Sequence, residues 1–115
     1  MSYKIHKKAI SQWKDQALIF AALGNKIRLL LVTKLFDGQL HSIVDLTENT
    51  QLTRQAITKH LVILEEAKLV ISIRSGRESL YKYNPAPLEK IKQYLNYVSE
   101  QWDDALLRLK NFVEK

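Results

Sequence analysis

The chain has 115 residues, of which 46% are hydrophobic and 26% are charged, and its formal net charge is +6 at pH 7. A chain of this length is expected to form one domain with a modest core, and its apolar runs are shorter than the roughly 18 residues that suggest a membrane span. It contains no cysteine, which excludes disulfides, thiolate metal sites and thiol redox sensing and fits a cytoplasmic protein. A basic chain favours polyanionic partners, of which nucleic acid is the usual one.

The positive charge is unevenly distributed along the chain. Residues 85–115 contain as many basic as acidic side chains, so the whole positive excess lies in residues 1–84. Lysines at positions 4, 7, 8 and 14 precede the first acidic residue, Asp15. This lysine run fits an ordinary solvated face as well as it fits contact with a polyanion.

Three short helices are predicted in the first half of the chain. Gly24 breaks the first from the second, and Ser42 and Asp45 have the spacing of a capping box at the start of the third. The connector over residues 49–51 is so short that it requires a tight helix-to-helix turn. Apolar residues at spacings of three and four predict these helices over residues 12–23, 26–36 and 42–48.

In the second half of the chain, the periodicity of the hydrophobic residues changes twice, from helical to strand-like and back to helical. Thr53 is the expected N-cap of a fourth helix, two β-branched stretches separated by a loop with Gly76 predict a β-hairpin, and Pro87 suits the first turn of a long last helix. These elements are predicted over residues 53–67 (helix), 69–74 and 79–83 (strands) and 88–113 (helix).

The predicted fourth helix has two different faces. At about 100° per residue, the side chains within roughly 80° of Thr53 are apolar and form a core face: Ala56, Ile57, Leu61, Leu64 and Ala67. The opposite face begins with a polar group: Arg54, Gln55, Thr58 and Lys59. Arginine and glutamine match the edges of guanine and adenine, threonine offers a hydroxyl or a methyl group, and lysine suits phosphate. Between a short turn and a basic hairpin, this face is better explained by DNA binding than by solvation alone.

His60 falls on the core side of the same helix. A histidine on an apolar face is more often a structural group, whose ring nitrogens find local partners, than a base contact or a metal ligand. We therefore expect His60 to be structural, although it is the residue of this segment that most resembles a ligand.

Helix, short turn, helix and hairpin together predict a mainly α fold with a two-stranded β-hairpin, the outline of a winged helix-turn-helix. The expected organisation is one domain over residues 1–115, with a DNA-binding core at 12–84 and a dimerisation helix at 87–114. Arg74 and Arg77 near the tip of the hairpin suit a narrow minor groove, although two such arginines would also serve to solubilise an exposed hairpin.

The last helix carries a strict heptad seam. Its apolar residues alternate in steps of three and four: Leu88, Ile91, Leu95, Val98, Trp102, Ala105, Leu109 and Phe112. A small domain cannot cover a helix of roughly 39 Å, so a homodimer is favoured over a core helix within one chain. The predicted dimer contacts are Leu88, Ile91, Leu95, Val98, Trp102 and Leu109. A two-fold dimer predicts a pseudo-palindromic DNA site.

Three segments carry a resemblance to a known family. "ALGNKIRLLLVTKL" at 22–35, "LTRQAITKHLVILEEAKLV" at 52–70 and "GRESLYKYNPAPLEKIKQYL" at 76–95 resemble the ArsR/SmtB family of bacterial transcriptional repressors. The likeness runs from about residue 16 to the C-terminus. It implies a dimeric winged-helix repressor of operator DNA, with contacts at the start of the recognition helix and in the wing: Thr53, Arg54, Gln55, Thr58, Lys59, Arg74 and Arg77. The histidine before a leucine, here His60, is also typical of the family.

Two backbone positions depart from the family pattern. The family usually has glycine where this chain has Gln51 and Lys68. If either position requires a positive φ, a residue other than glycine costs about 1 kcal/mol there.

The chain also lacks the residues with which many family members bind metal. Ser42 and Val44 stand at the positions of the sensing cysteines, and residues 85–115 contain no histidine. The three histidines of the chain, His6, His41 and His60, show no ligand spacing. His41 beside Asp45 fits a helix start better than an oxygen-rich metal site. The chain thus resembles the metal-independent branch of the family, and no cofactor is predicted.

The leading hypothesis is a homodimeric, sequence-specific repressor whose partners are double-stranded DNA and a second copy of the chain, without a membrane. Two alternatives keep the DNA binding: a sensor of a small molecule or of a metal held by ligands other than cysteine, and a regulator that a protein partner releases from DNA. An enzyme is not expected, because the sequence has no nucleophile–base pair, phosphate loop or paired catalytic carboxylates.

Overall fold

The computed structural model describes residues 13–114, and it contains five α-helices and three strands in that range. The helices are α1 (Trp13–Leu23), α2 (Lys26–Lys34), α3 (Ile43–Thr47), α4 (Arg54–Glu66) and α5 (Ala86–Glu114); the strands are β1 (His41–Ser42), β2 (Val70–Ser75) and β3 (Glu78–Tyr83). Every predicted helix and strand is present within three residues of its predicted bounds. Residues 35 and 36, predicted as the end of the second helix, form a 3₁₀ turn together with Asp37, and Gly38 ends this turn at φ 76°.

The sheet has one strand more than the sequence predicts. Its order is β1-β3-β2, with both pairings antiparallel. In β1, His41 pairs with Tyr81 and Ser42 pairs with Leu80. Ser42 is at the same time the N-cap of α3, as predicted, because its Oγ accepts a hydrogen bond from the backbone N–H of Asp45. A strand of two residues has no detectable period, which is why only the cap could be predicted.

The core lies where α4 packs against α2, α3 and the sheet. The helical wheel for α4 is confirmed, since Ile57, Leu61 and Leu64 are fully buried while Val62 and Ile63 are exposed. The other fully buried large side chains come from the elements around α4: Leu31, Val32, Leu35, Leu46, Leu69 and Val70. Burying this inner face fixes the rotation of α4, and therefore fixes which residues it presents outward.

The ends of α4 are determined by their caps. Thr53 has extended backbone, and its Oγ1 accepts a hydrogen bond from the N–H of Ala56 at 3.1 Å. At the other end, the N–H of Lys68 donates to the carbonyl of Glu65 and that of Leu69 to the carbonyl of Leu64, both at 2.9 Å, which is the Schellman pattern.

The two positions where the family usually has glycine do adopt left-handed backbone. Gln51 has φ 61° and Lys68 has φ 62°. A third residue, Asn49, has φ 63°, but asparagine tolerates this region better than glutamine or lysine does. The chain therefore carries conformational strain on both sides of α4.

Helix α5 leaves the core after its first turns. Pro87 and Ile91 are buried, whereas every residue from position 106 to 114 is exposed. With 29 residues the helix is roughly 43 Å long, and the chain measures 65 × 30 × 21 Å. Among the described helices, none has the length and apolar character needed to cross a membrane.

Candidate DNA-binding surface

The turn between α3 and α4 is held by hydrogen bonds from Lys34 of α2 and from Thr50 within the turn itself. The Lys34 ammonium donates to the carbonyls of Leu46 at 3.2 Å and Glu48 at 2.7 Å, at the C-terminal end of α3. Within the turn, the Thr50 hydroxyl donates to the carbonyl of Thr47 at 2.6 Å and accepts from the N–H of Leu52 at 3.2 Å. Lys34 thus places a positive charge at the carbonyl end of α3, where the helix dipole favours it.

The first two turns of α4 present long polar side chains to solvent. Arg54, Gln55 and Lys59 are exposed, and within residues 13–114 none of them makes a side-chain hydrogen bond or ion pair. The first turn contains no acidic residue, so the positive end of the helix dipole adds to the charge of Arg54 and Lys59. This end of α4 is therefore suited to bind an anionic partner.

Thr58 is less available than its position suggests. It is half-buried, and its hydroxyl donates to the carbonyl of Arg54 at 2.8 Å. Its methyl group and the acceptor side of its oxygen remain for a partner, whereas its proton is used within the helix.

The hairpin of β2 and β3 forms a wing beside α4. The last pair of the ladder is Ser75 with Glu78, so Gly76 and Arg77 form a two-residue loop. Gly76 has φ 64°, as the first central position of such a loop requires. Arg74 and Arg77 are both exposed, and the Nε of Arg74 lies 3.4 Å from the carbonyl oxygen of Gly76. Two guanidinium groups are thus present at the tip, as predicted.

One hydrogen bond joins the wing to the recognition helix. The Ser72 hydroxyl in β2 donates to Oε1 of Glu65 in α4 at 2.7 Å. This contact links the two parts of the surface, and it engages the acidic residue that follows the basic turns of α4. Sequence spacing could not predict it, since it depends on which face of β2 lies against the helix.

His60 has the structural role that its position on the wheel predicts. Its Nδ1 lies 3.3 Å from Nη1 of Arg28, which also donates from Nε to the carbonyl of Ala22 at 2.7 Å. A guanidinium group has only donors, so Nδ1 must accept and the proton of neutral His60 is on Nε2. Burial, and then the charge of Arg28, lower the pKa of His60. His60 and Arg28 together join the end of α1 to α4, and sequence reasoning missed Arg28.

The described residues contain no group of three or more potential metal ligands. His41 lies between two carboxylates, with Nε2 at 2.8 Å from Asp37 and Nδ1 at 4.0 Å from Asp45. Because opposite ring nitrogens are used, the two carboxylates do not converge on one point. The backbone N–H of Gln39, and after it the hydrogen bond to His41, lower the pKa of Asp37. His6 and the lysines at positions 4, 7 and 8 lie outside the described residues.

Comparison with known proteins gives the family. No protein-family model matches the chain. An ArsR-like transcriptional regulator from Rhodococcus sp. RHA1 superposes with a TM-score of 0.71 and 32% identity, over 89% of this chain and 95% of that one. This chain belongs to the ArsR family of transcriptional regulators. Its winged helix-turn-helix fold is thus confirmed, and so is its function as a DNA-binding transcriptional regulator rather than an enzyme.

Two sequence relatives agree with this assignment. The ArsR-family chain is 37% identical over 79 residues to the uncharacterized HTH-type transcriptional regulator YuzN of Bacillus subtilis, covering 64% of the chain and 86% of YuzN. It is 29% identical over 87 residues to an arsenical resistance operon repressor of Staphylococcus aureus, covering 76% of the chain and 83% of that repressor. These relatives name the class of protein, and the contacts of individual residues with DNA stay a prediction.

Proposed function

We propose that this ArsR-family regulator is a homodimeric repressor that binds a pseudo-palindromic operator through α4 and the wing, without a metal cofactor. The observation that carries the proposal is the group of exposed side chains without partners at the start of α4. Arg54, Gln55 and Lys59 lie on a helix whose opposite face is fully buried. These three side chains therefore face solvent and are available to contact another molecule.

The proposed contacts divide by chemistry. Arg54 and Gln55 contact base edges in the major groove, because their side chains can form paired hydrogen bonds with guanine and adenine. Lys59 and Thr53 contact phosphate, and Thr58 offers its methyl group. Arg74 and Arg77 of the wing enter the adjacent minor groove, where a narrow A·T-rich segment concentrates negative potential.

The proposed dimer is supported by the apolar residues that α5 leaves uncovered. Trp102 is 65% exposed, Leu109 is 58% exposed and Phe112 is 78% exposed. A contiguous apolar stripe of this kind marks an interaction surface. Leu95 is exposed too, and Val98 is half-buried, so both can take part.

The first two predicted dimer contacts have another role in the chain. Ile91 is buried in the core and Leu88 packs against it at the edge. The proposed interface therefore begins at Leu95 and continues along the seam to Phe112. The turns before it attach α5 to its own DNA-binding core.

Repression and the absence of a metal rest on different arguments. The Staphylococcus aureus relative is an operon repressor, and a protein seated on a promoter excludes polymerase. No group of three metal-ligand side chains occurs within residues 13–114. Zinc titration followed by calorimetry tests the metal-independent mechanism, for which no binding tighter than micromolar is expected.

A protein partner that releases DNA remains the alternative, and stoichiometric capture of such a partner on α5 would favour it.

Fluorescence anisotropy with a duplex from upstream of the chain's own gene tests the proposal directly. Saturable binding that exceeds binding to a scrambled duplex is expected, with affinity falling as salt rises because phosphate contacts release counterions. Lys59→Ala is expected to weaken binding to both duplexes equally, whereas Gln55→Ala is expected to weaken binding to the specific duplex more. Equal affinity of the wild type for both duplexes would contradict the proposal.

A further inference from the structure

A cleft opens between α1 and the first turns of α5. Its volume is about 440 Å³. It is lined by three residues of α1 and four of α5: Asp15, Gln16, Ile19, Glu89, Lys90, Ile91 and Gln93. This volume is within the range of cavities that bind small molecules. None of these residues belongs to the proposed DNA-binding surface or to the exposed seam of α5.

Gln16 is the feature of this cleft that the fold does not explain. Its residue exposure is only 7%, and it is the one buried polar or charged residue in the described part of the chain. Its amide has no hydrogen-bond partner among residues 13–114. Every fully inaccessible side-chain polar atom there does have a partner, so the amide is not sealed in the core and opens into the cleft. A side chain that is buried this deeply, and that presents an amide without a protein partner to a cleft, suggests a ligand.

The charges around Gln16 indicate which ligand would fit. Asp15 and Glu89 line the cleft from opposite helices, and neither lies within ion-pair distance of a basic side chain in the described residues. Lys90 adds one positive charge, so the lining has a net charge of −1 from two carboxylates and one ammonium group. The cleft therefore favours a cation over an anion.

The apolar side chains of the cleft restrict the ligand further. Ile19 and Ile91 belong to the hydrophobic core, with 7% and 2% of their surface exposed, and they form an apolar wall next to the amide. A bare metal ion would gain nothing from this wall, and the lining offers it two carboxylates and the amides of Gln16 and Gln93, without a histidine or a cysteine. An organic cation with a short carbon chain would use the carboxylates, the wall and the amide at once.

We propose that the cleft between α1 and α5 binds a small organic cation, an amine with a hydrogen-bonding group a few carbons away. Its ammonium group lies between Asp15 and Glu89, its carbon chain packs against Ile19 and Ile91, and its second polar group bonds to the amide of Gln16. The ligand joins the two helices at the point where α5 leaves the core.

The consequence for regulation rests on the proposed function. In the proposed homodimer, α5 connects each DNA-binding core to the partner, so its angle at the core sets the distance between the two recognition helices. A ligand that braces α5 against α1 would change this angle and hence the affinity for a site of fixed spacing. The amine is thus an effector whose binding can be measured without DNA.

Titration followed by NMR tests the binding, with 1,4-diaminobutane and ethanolamine as probes and butyrate as their anionic counterpart. Saturable shifts of the Gln16 side-chain amide are expected for the amines and not for butyrate. The double variant Asp15→Asn/Glu89→Gln is expected to bind at least about tenfold more weakly. Its matched control, Asp104→Asn/Glu100→Gln, removes the same charge from the exposed half of α5 and is expected to bind like the wild type.

Three results would overturn the site: no saturable shift with either amine, equal shifts with butyrate, or an equal loss of affinity in the control variant. Binding of magnesium chloride at the same residues in place of the amines would also overturn it, because the site would then be an inorganic cation site.

Gln16→Leu gives a second, independent measurement. If the amide has no partner in the free protein, replacing it with an apolar side chain is expected to raise Tm while abolishing the amine-dependent shifts. A lower Tm would show that the amide is needed by the fold itself, which would contradict the proposal. Operator binding by the same variant separates the two proposals. If Gln16→Leu loses amine binding but still binds the operator, the substitution acts on the cleft and not on DNA binding. If even the wild type fails to bind the operator, the proposed function fails, whereas the amine site is still tested by the titration.

Discussion

Helices α4 and α5 are both amphipathic, but the chain completes the burial of only one of them. Ile57, Leu61 and Leu64 of α4 are fully buried in the chain's own core, and what α4 leaves exposed at its start is polar. Trp102 and Leu109 of α5 repeat at the same kind of spacing and are more than half exposed. The same periodicity therefore has two outcomes: in α4 it turns a polar face outward, where we propose that DNA binds, and in α5 it leaves an apolar face exposed, which the proposed dimer would cover.

The largest expected effect comes from breaking the seam of α5. Trp102→Ser/Leu109→Ser is expected to convert the dimer to a monomer and to reduce operator affinity by about a hundredfold or more, because two linked half-sites bind far more tightly than one. Light scattering after size exclusion measures the first effect and anisotropy the second. Leu107→Ser is the matched control, since Leu107 is 57% exposed but lies off the seam. A dimer that survives the double variant would show that α5 is covered in another way.

Truncating the buried face of α4 should act on the fold instead. Leu61→Ala is expected to lower the free energy of unfolding by about 3 kcal/mol, the usual cost of removing a fully buried leucine side chain. Urea denaturation checks this value, with Val62→Ala on the exposed side of the same helix as the control. A loss below about 1 kcal/mol for Leu61→Ala would mean that the inner face of α4 is not the core described above.

Removing the polar side chains at the start of α4 should alter recognition without altering stability. Arg54→Ala and Gln55→Ala are each expected to cost about 1–3 kcal/mol of binding to the specific duplex and to relax the preference for one base pair. Their unfolding curves should match the wild type, because both side chains are exposed and lack partners in the described structure. Equal losses on specific and scrambled DNA would show that these two residues contact phosphate only.

The left-handed positions beside α4 give a smaller effect of the opposite sign. Lys68→Gly is expected to raise the free energy of unfolding by about 1 kcal/mol, since glycine adopts φ 62° without steric cost. Asn49→Gly serves as the control and should gain less, because asparagine already tolerates this backbone. If Lys68→Gly lowers stability, interactions of the lysine side chain must outweigh the backbone strain.

The smallest effect concerns pH. The pKa of His60 is lowered in the folded chain, so the unfolded chain binds this proton more readily than the folded one. The contribution of neutral His60 to stability is complete above the unfolded pKa of about 6.5, and it is lost as the pH falls toward the folded value. Urea denaturation from pH 7.5 to 5 should show a shallower decline for His60→Asn than for the wild type. Parallel declines would mean that burial and the charge of Arg28 do not disfavour the imidazolium in the folded chain.

Local signals predicted α4 and its caps well, because each of these signals acts over a few residues. Thr53 caps the helix through a bond to Ala56 three residues later, and the inner face of α4 follows from its period alone. The helix α5 begins at Ala86 rather than at Leu88, since Pro87 is accepted in a first turn. The glycine departures at Gln51 and Lys68 correctly identified two strained backbone positions.

The contacts that sequence could not predict join residues far apart in the chain. Arg28 meets His60 across 32 positions, Lys34 reaches the end of α3, and Ser72 bonds to Glu65 only because β2 turns that face toward α4. The burial of Gln16 also depends on tertiary packing, which the sequence of α1 alone does not show. A heptad seam, likewise, does not show that its first turns are used within the chain, as they are at Ile91.

The central claim, a two-fold dimer that reads DNA with α4, is tested most directly by hydroxyl-radical footprinting across the region upstream of the gene. We expect two protected segments of related, inverted sequence, with centres about 10 base pairs or a small multiple of that apart, on one side of the duplex. A single protected segment, or two segments without inverted symmetry, would contradict it.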